Sequence, residues 1–117
     1  MNSDIKISKK IRISYFLSEA ILTDIKGNMA VGGYDLKGKS KWISEAVLQL
    51  FSFDNYHELV MINNQMAGFE KLDSISVDRN FKLNLDNAVI EIRKQFPSIE
   101  GVQSKILRTA ILQRLLR

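Results

Sequence analysis

One ten-residue phrase occurs twice in this chain. Ser40-Lys41-Trp42-Ile43-Ser44-Glu45-Ala46-Val47-Leu48-Gln49 returns as Ser104-Lys105-Ile106-Leu107-Arg108-Thr109-Ala110-Ile111-Leu112-Gln113, 64 residues later. Five positions are identical, and two more exchange one aliphatic side chain for another. Each copy puts apolar residues at helical spacing: Ile43, Ala46, Val47 and Leu50 in the first, Leu107, Ala110, Ile111 and Leu115 in the second. Such a stripe must be buried against something. An internal repeat therefore calls for an architecture assembled from two matched units.

The 117 residues suffice for one domain or two very small ones. Apolar content of 45% and charged content of 26% are those of an ordinary globular chain. No apolar run approaches the roughly 18 residues that a membrane span needs, and the first residues lack the apolar core of a secretion signal. With zero cysteines there is neither a disulfide framework nor a thiolate metal site. These readings lead to the expectation of a cytoplasmic protein with no membrane association. Charge is unevenly spread. Residues 1–51 carry 8 Lys/Arg against 5 Asp/Glu, residues 52–78 carry 1 against 5, and residues 79–117 carry 8 against 3. Both repeats are basic and their connection is acidic, so a polyanion would be drawn to the repeats.

Residues 1–9 read as a basic arm, and residues 10–53 as the first repeat. From Lys10 to Leu17 the pattern alternates, with Ile11, Ile13, Tyr15 and Leu17 on one face and Lys10, Arg12, Ser14 and Phe16 on the other, which predicts a half-buried strand. Ser18 is suited to cap a helix that carries Ala20, Ile21, Ile25 and Met29. Gly32-Gly33 ends it, and Ser40 is the expected cap of the next helix. Residues 54–77 read as an acidic connection, with Asp54 capping a short helix through Tyr56, Leu59, Val60 and Met66; a hairpin turning at Asn63-Asn64 is the alternative. Residues 78–117 form the second repeat. Phe81, Leu83 and Leu85 alternate with Asn80, Lys82 and Asn84, predicting a strand over 79–85. Asp86 would cap a helix with Ala88, Val89, Ile92 and Phe96, ended by Pro97, and Ser104 would cap the last helix after the turn at Gly101. On this alignment strands and first helices repeat at an offset of 68 and last helices at 64, which gives the first repeat four extra residues in its inter-helix turn.

One strand and two short helices cannot close a core, because the strand edge is unpaired and its apolar face uncovered. Two copies solve both problems at once. The expected fold is therefore mainly α with a two-stranded antiparallel ribbon, two repeats in one chain acting as a pseudo-dimer in one compact domain. The ribbon's other face has no partner within the chain, and a two-stranded ribbon fits the major groove of B-DNA.

Each half resembles a ribbon-helix-helix unit, of the superfamily of β-ribbon DNA readers. The resemblance rests on the alternating segments 10–17 and 79–85, the capped helices after Ser18 and Asp86, and the Gly-x-Ser-Lys and Gly-x-x-Ser-Lys turns into 40–51 and 104–116. With both units in one chain, the protein is similar to tandem ribbon-helix-helix proteins of the TraY type from conjugative plasmids. The resemblance implies that outward strand residues read base edges: Arg12, Ser14 and Phe16 from one strand, and Asn80, Lys82 and Asn84 from the other. Arg and Lys suit guanine and Asn suits adenine, while Phe16 departs from the polar pattern and suits thymine methyl groups. It implies phosphate contacts at Lys10 and at the starts of the second helices, Ser40 and Lys41, Ser104 and Lys105. The implied partner is double-stranded DNA, with self-association on adjacent sites. The two strands differ, so the element read would be non-palindromic.

The implied role is a non-enzymatic transcriptional regulator of plasmid transfer genes. Two alternatives keep the fold and change the role: an accessory factor that bends DNA at a transfer origin, and an antitoxin-like protein with a protein partner from the transcription or transfer machinery. A different class is raised by Gly33-Tyr34-Asp35-Leu36-Lys37-Gly38-Lys39-Ser40, which satisfies the phosphate-binding pattern G-x-x-x-x-G-K-S. Its context argues against nucleotide binding, since the preceding residues read as helix and not as a buried strand. No cofactor is expected. His57 is the sole histidine, which excludes a zinc cluster built on several. Asp73 and Asp78 have no evident partner, and Trp42 and Phe51 read as core or interface rather than as a stacking platform.

Overall fold

Alternation makes the first element a strand. β1 spans Ile11–Leu17, with Ile13, Tyr15 and Leu17 buried on one face and Arg12, Ser14 and Phe16 exposed on the other. The computed structural model describes residues 10–35, 37–62 and 71–116, so the basic arm, the Asn63-Asn64 hairpin and Met66 lie outside the described residues. The element order is β1, α1 (Glu19–Val31), α2 (Lys39–Phe51), α3 (Tyr56–Ile62), β2 (Lys71–Val77), α4 (Arg79–Gln95) and α5 (Val102–Leu115). Among the described residues no helix is long and apolar enough to cross a membrane.

The second strand is not where alternation at 79–85 suggested. β2 is Lys71–Val77, within the segment read as an acidic connection, and 79–85 begins α4. The physical reason lies in which apolar side chains are buried. Phe81, Leu85, Ala88 and Ile92 face the core at i, i+4, i+7, i+11, while Leu83 is 54% exposed. That is the stripe of a helix and not the face of a strand. Asp78, and not Asp86, caps α4: its Oδ1 accepts from the Phe81 amide at 2.8 Å. Asp86 instead takes an i,i+4 ion pair from Lys82 at 2.6 Å.

The two strands pair antiparallel, Ile11 opposite Val77 through Leu17 opposite Lys71. Both strands and both first helices start 60 residues apart, at 11 and 71 and at 19 and 79. α4 has 17 residues against 13 in α1, which places the extra residues between the strand and the second stretch of the repeated phrase. The inter-helix turn of the first copy is not the place of the insertion. An offset of 60 also carries Ser14 onto Ser74, and these two residues face each other at the middle of the ribbon.

Ser18 caps α1 as its sequence suggested, accepting from the Ile21 amide at 3.2 Å, and Gly32 closes it. The second helices begin differently from expectation. Gly38 is the N-cap of α2 and Gly101 that of α5, neither with a side-chain cap bond, so Ser40 and Ser104 lie inside their first turns. Gly101 holds φ 60°, a left-handed conformation that a side chain disfavours. α4 stops at Gln95, just before Pro97. α3 confirms a short helix in the connection; its first turn is tied to the Asn55 carbonyl, which accepts from the Leu59 amide.

The repeated phrase shares four core positions, although Leu48, one of its identical residues, is 51% exposed. Trp42 and Ile106, Ile43 and Leu107, Ala46 and Ala110, Val47 and Ile111 are all buried. α2 and α5 pack on one another, and each also lies under a strand of the other half, α5 against β1 and α2 against β2. α5 further touches α1, α3 and α4. A helix surrounded on most sides needs apolar residues around most of its circumference, and Val102, Ile106, Leu107, Ala110 and Ile111 supply them.

Candidate nucleic-acid interface

Antiparallel pairing with this register decides which side chains share the open face of the ribbon. Successive residues of a strand point to opposite faces. The outward pairs are Arg12 with Ser76, Ser14 with Ser74, and Phe16 with Leu72. All are exposed except Ser74, which is half-buried. The Arg12 guanidinium donates to Ser74 Oγ at 3.1 Å, leaning along the ribbon over its middle pair. Three of the six expected base-reading residues, Arg12, Ser14 and Phe16, thus lie together on this face. Asn80, Lys82 and Asn84 do not, because they belong to α4. Leu72, Ser74 and Ser76 take the positions assigned to them.

The first turns of the second helices flank the ribbon. Ser40 accepts from the Ser76 amide through Oγ at 3.1 Å, which ties the start of α2 to the end of β2. On the other side the Gln103 amide nitrogen donates to the Ser14 carbonyl at 3.1 Å, tying the start of α5 to β1. The two helix starts, with their unpaired amides and positive dipole ends, therefore border the open face from opposite sides. Lys41 is exposed, while Lys105 is half-buried and donates to the Glu100 carbonyl. Burial, with Arg108 adding to it, holds the Lys105 ammonium below its usual pKa.

Asn80 and Asn84 reach the site by another route. They line an open groove of about 650 Å³ with Lys10, Lys37, Ser40 and Lys41, between the starts of α2 and α4 and the Ile11–Val77 end of the ribbon. None of these three lysines makes an ion pair with a described carboxylate within 4.0 Å. Lys82 lies outside the groove, paired to Asp86.

The underside of the ribbon carries one polar network. Asp73 faces inward opposite Tyr15 and accepts from its hydroxyl at 2.5 Å. Its other oxygen takes the Lys39 ammonium at 2.7 Å. Asp73 and Asp78 both have partners, contrary to the reading from sequence. Burial and the neighbouring carboxylate push the Tyr15 phenol well above its ordinary value. Lys39 is the lysine of the phosphate-loop pattern. That turn follows the helix α1 and not a strand, and its lysine is held by Asp73 beneath the ribbon. Trp42 is buried, with its indole N–H donating to Asn28 Oδ1 at 3.0 Å, so it belongs to the core as expected.

Alternation had a cue for β2. Ser74-Ile75-Ser76-Val77 followed by Asp78 repeats the sense of Ser14 to Ser18, a strand that ends on a helix cap. Asp73 at an inward position breaks the apolar pattern and hides it. Comparison with family models, with curated proteins and with solved structures finds no match for this chain.

Proposed function

We propose that this chain is a tandem ribbon-helix-helix protein, two units in one chain forming a pseudo-dimer, that binds double-stranded DNA by laying its ribbon in the major groove. The single observation that carries the reading is the ribbon itself: sealed below by α2 and α5, open above, and bordered on both sides by helix starts. A ribbon of two strands has the width of the major groove. The coincidence of the repeat offset with the Ser14–Ser74 pair supports a pseudo-twofold axis through the middle of the ribbon.

In this reading Arg12, Ser14, Phe16, Leu72, Ser74 and Ser76 meet base edges. The starts of α2 and α5, with Lys41 and Lys105, meet phosphates, and Lys10 and Lys37 extend that contact from the groove at one end. Four of the six reading side chains differ between equivalent positions, Arg12 against Leu72 and Phe16 against Ser76, so the element is non-palindromic. One chain presents one reading head, and the physiological role is regulation of transcription, with plasmid transfer genes as the target.

Selection from a random duplex pool tests this directly. The expected result is an enriched, non-palindromic element whose affinity falls steeply with salt. Equal retention of all sequences, or no retention of duplex, would sink it. Footprinting at promoters and at transfer origins then separates regulation from an accessory role in transfer.

A further inference from the structure

Antiparallel pairing has sorted the outward face of the ribbon into a polar end and an apolar end. Arg12 and Ser76 face each other at one end, Ser14 and Ser74 in the middle, and Phe16 and Leu72 at the other. Phe16 is 45% exposed and Leu72 is 63% exposed. Two large apolar side chains, 56 residues apart in sequence, thus stand side by side in solvent. Isolated exposed apolar residues need no explanation, but a cross-strand pair on a face of otherwise polar residues does.

We propose that Phe16 and Leu72 form a reader of pyrimidine 5-methyl groups, so that the bound element carries thymines at one end only. The inference rests on the DNA-binding reading above and deepens it. In the major groove the only apolar feature of a base pair is the C5 methyl of thymine, and apolar side chains are its recognition partners. Charge complementarity favours DNA as the occupant. The same ribbon carries Arg12 at its polar end, and Lys10, Lys37 and Lys41 line the groove at that end together with a single carboxylate, Asp78, which is engaged as the cap of α4. The separation along the ribbon sets the spacing. Arg12 and Phe16 are four residues apart on one strand, about 14 Å at about 3.4 Å per residue, or about four base pairs at about 3.4 Å each. The element would therefore have a direction: guanine under Arg12, and thymine methyls about four base pairs away under Phe16 and Leu72.

Uracil replaces thymine with the loss of that methyl alone, so it isolates the contact. The enriched duplex is to be compared with versions carrying uracil at one thymine at a time. The native chain is expected to bind about fourfold more weakly for each methyl removed at one end of the element, and to be indifferent to uracil elsewhere. Phe16→Ser and Leu72→Ser should abolish the discrimination, and Arg12→Ala should preserve it while relaxing preference at the opposite end. Both serine substitutions fall on exposed positions, and circular dichroism melts check that the variants stay folded. Binding that ignores uracil everywhere, discrimination that survives both serine variants, or an enriched element without thymine at either end overturns the methyl reader while leaving DNA binding intact. Serine variants that change only the oligomeric state in light scattering, with uracil discrimination kept, also overturn it and assign the pair to self-association. Failure to bind any duplex overturns this inference and the proposed function together.

Discussion

Tyr15 and Asp73 face each other across the buried side of the ribbon, and the Tyr15 hydroxyl donates to Asp73 Oδ2 at 2.5 Å. The same carboxylate holds Lys39 from the start of α2 at 2.7 Å. One inward-facing acid therefore ties both strands and a flanking helix together. Asp73→Ala would leave a buried hydroxyl and an ammonium without their acceptor, at a cost of about 1–3 kcal/mol. Tyr15→Phe removes one hydrogen bond and should cost about 0.5–1.5 kcal/mol. Because both changes break the same contact, the double variant should lose less than the two single losses combined. Urea denaturation of the three variants measures it, and strict additivity would show that the contact contributes nothing.

On the DNA-binding reading proposed above, base reading and phosphate contact have different signatures. Arg12→Ala should weaken binding to the enriched element by about 1–3 kcal/mol and relax its preference, with little change on random duplex. Lys41→Ala should weaken binding to all sequences and lower the salt slope by about one. Lys82→Ala, on α4 and paired to Asp86, should leave the ratio of specific to random affinity unchanged. Affinity titrations at several salt concentrations distinguish the three patterns.

Ile111 is fully buried on α5, at the position that matches Val47 of α2. Ile111→Ala should cost about 2–5 kcal/mol, since the central helix is hemmed in on most sides and cannot collapse onto the space. Ile111→Val should cost about 0.5–1.5 kcal/mol. A melting temperature unchanged by the alanine variant would contradict this packing.

Acid should loosen the contact between α2 and α5. The Tyr34 hydroxyl, joined by the Arg114 guanidinium at 3.2 Å, holds the Glu45 carboxyl below the usual carboxylate range. Arg114 also donates to the Trp42 carbonyl at 2.6 Å and lies over the Trp42 ring. A depressed carboxyl contributes its stabilisation fully above its ordinary pKa of about 4, and loses it as pH falls through the lowered value. Glu45→Gln should thus be less stable than the native chain near neutrality and show a shallower loss of stability below about pH 4. Denaturation midpoints measured from neutrality downward through the acid range check the sign; a steeper acid loss in the variant would refute it.

Gly101→Ala should destabilise by about 1–2 kcal/mol, the cost of a Cβ in the left-handed region. No atom lies within 4 Å of the added carbon, so the penalty is one of backbone conformation and not of crowding. Gly101→Asn should recover part of it, as thermal melts would show.

The sequence by itself determined the pieces whose signal is local. The ten-residue phrase repeated 64 residues later identified α2 and α5 because four of its aligned positions, Trp42 and Ile106, Ile43 and Leu107, Ala46 and Ala110, Val47 and Ile111, are buried in both helices. Alternation found β1, Ser18 found the start of α1, and Pro97 found the end of α4. The outward residues of β1 follow from parity alone. The second strand was not legible, since 79–85 offers apolar residues at both strand and helix spacing, and a short segment cannot choose between them without knowing which side chains are covered. Asp73 made the true strand look like polar connection; its placement is acceptable only because Tyr15 and Lys39, distant in sequence, arrive to bond it. Register likewise belongs to tertiary structure: a shift by one residue would turn every side chain of β2 to the other face. Only the folded pairing decides that Phe16 stands beside Leu72 and Arg12 beside Ser76, because the two strands are held together by a core built from helices elsewhere in the chain.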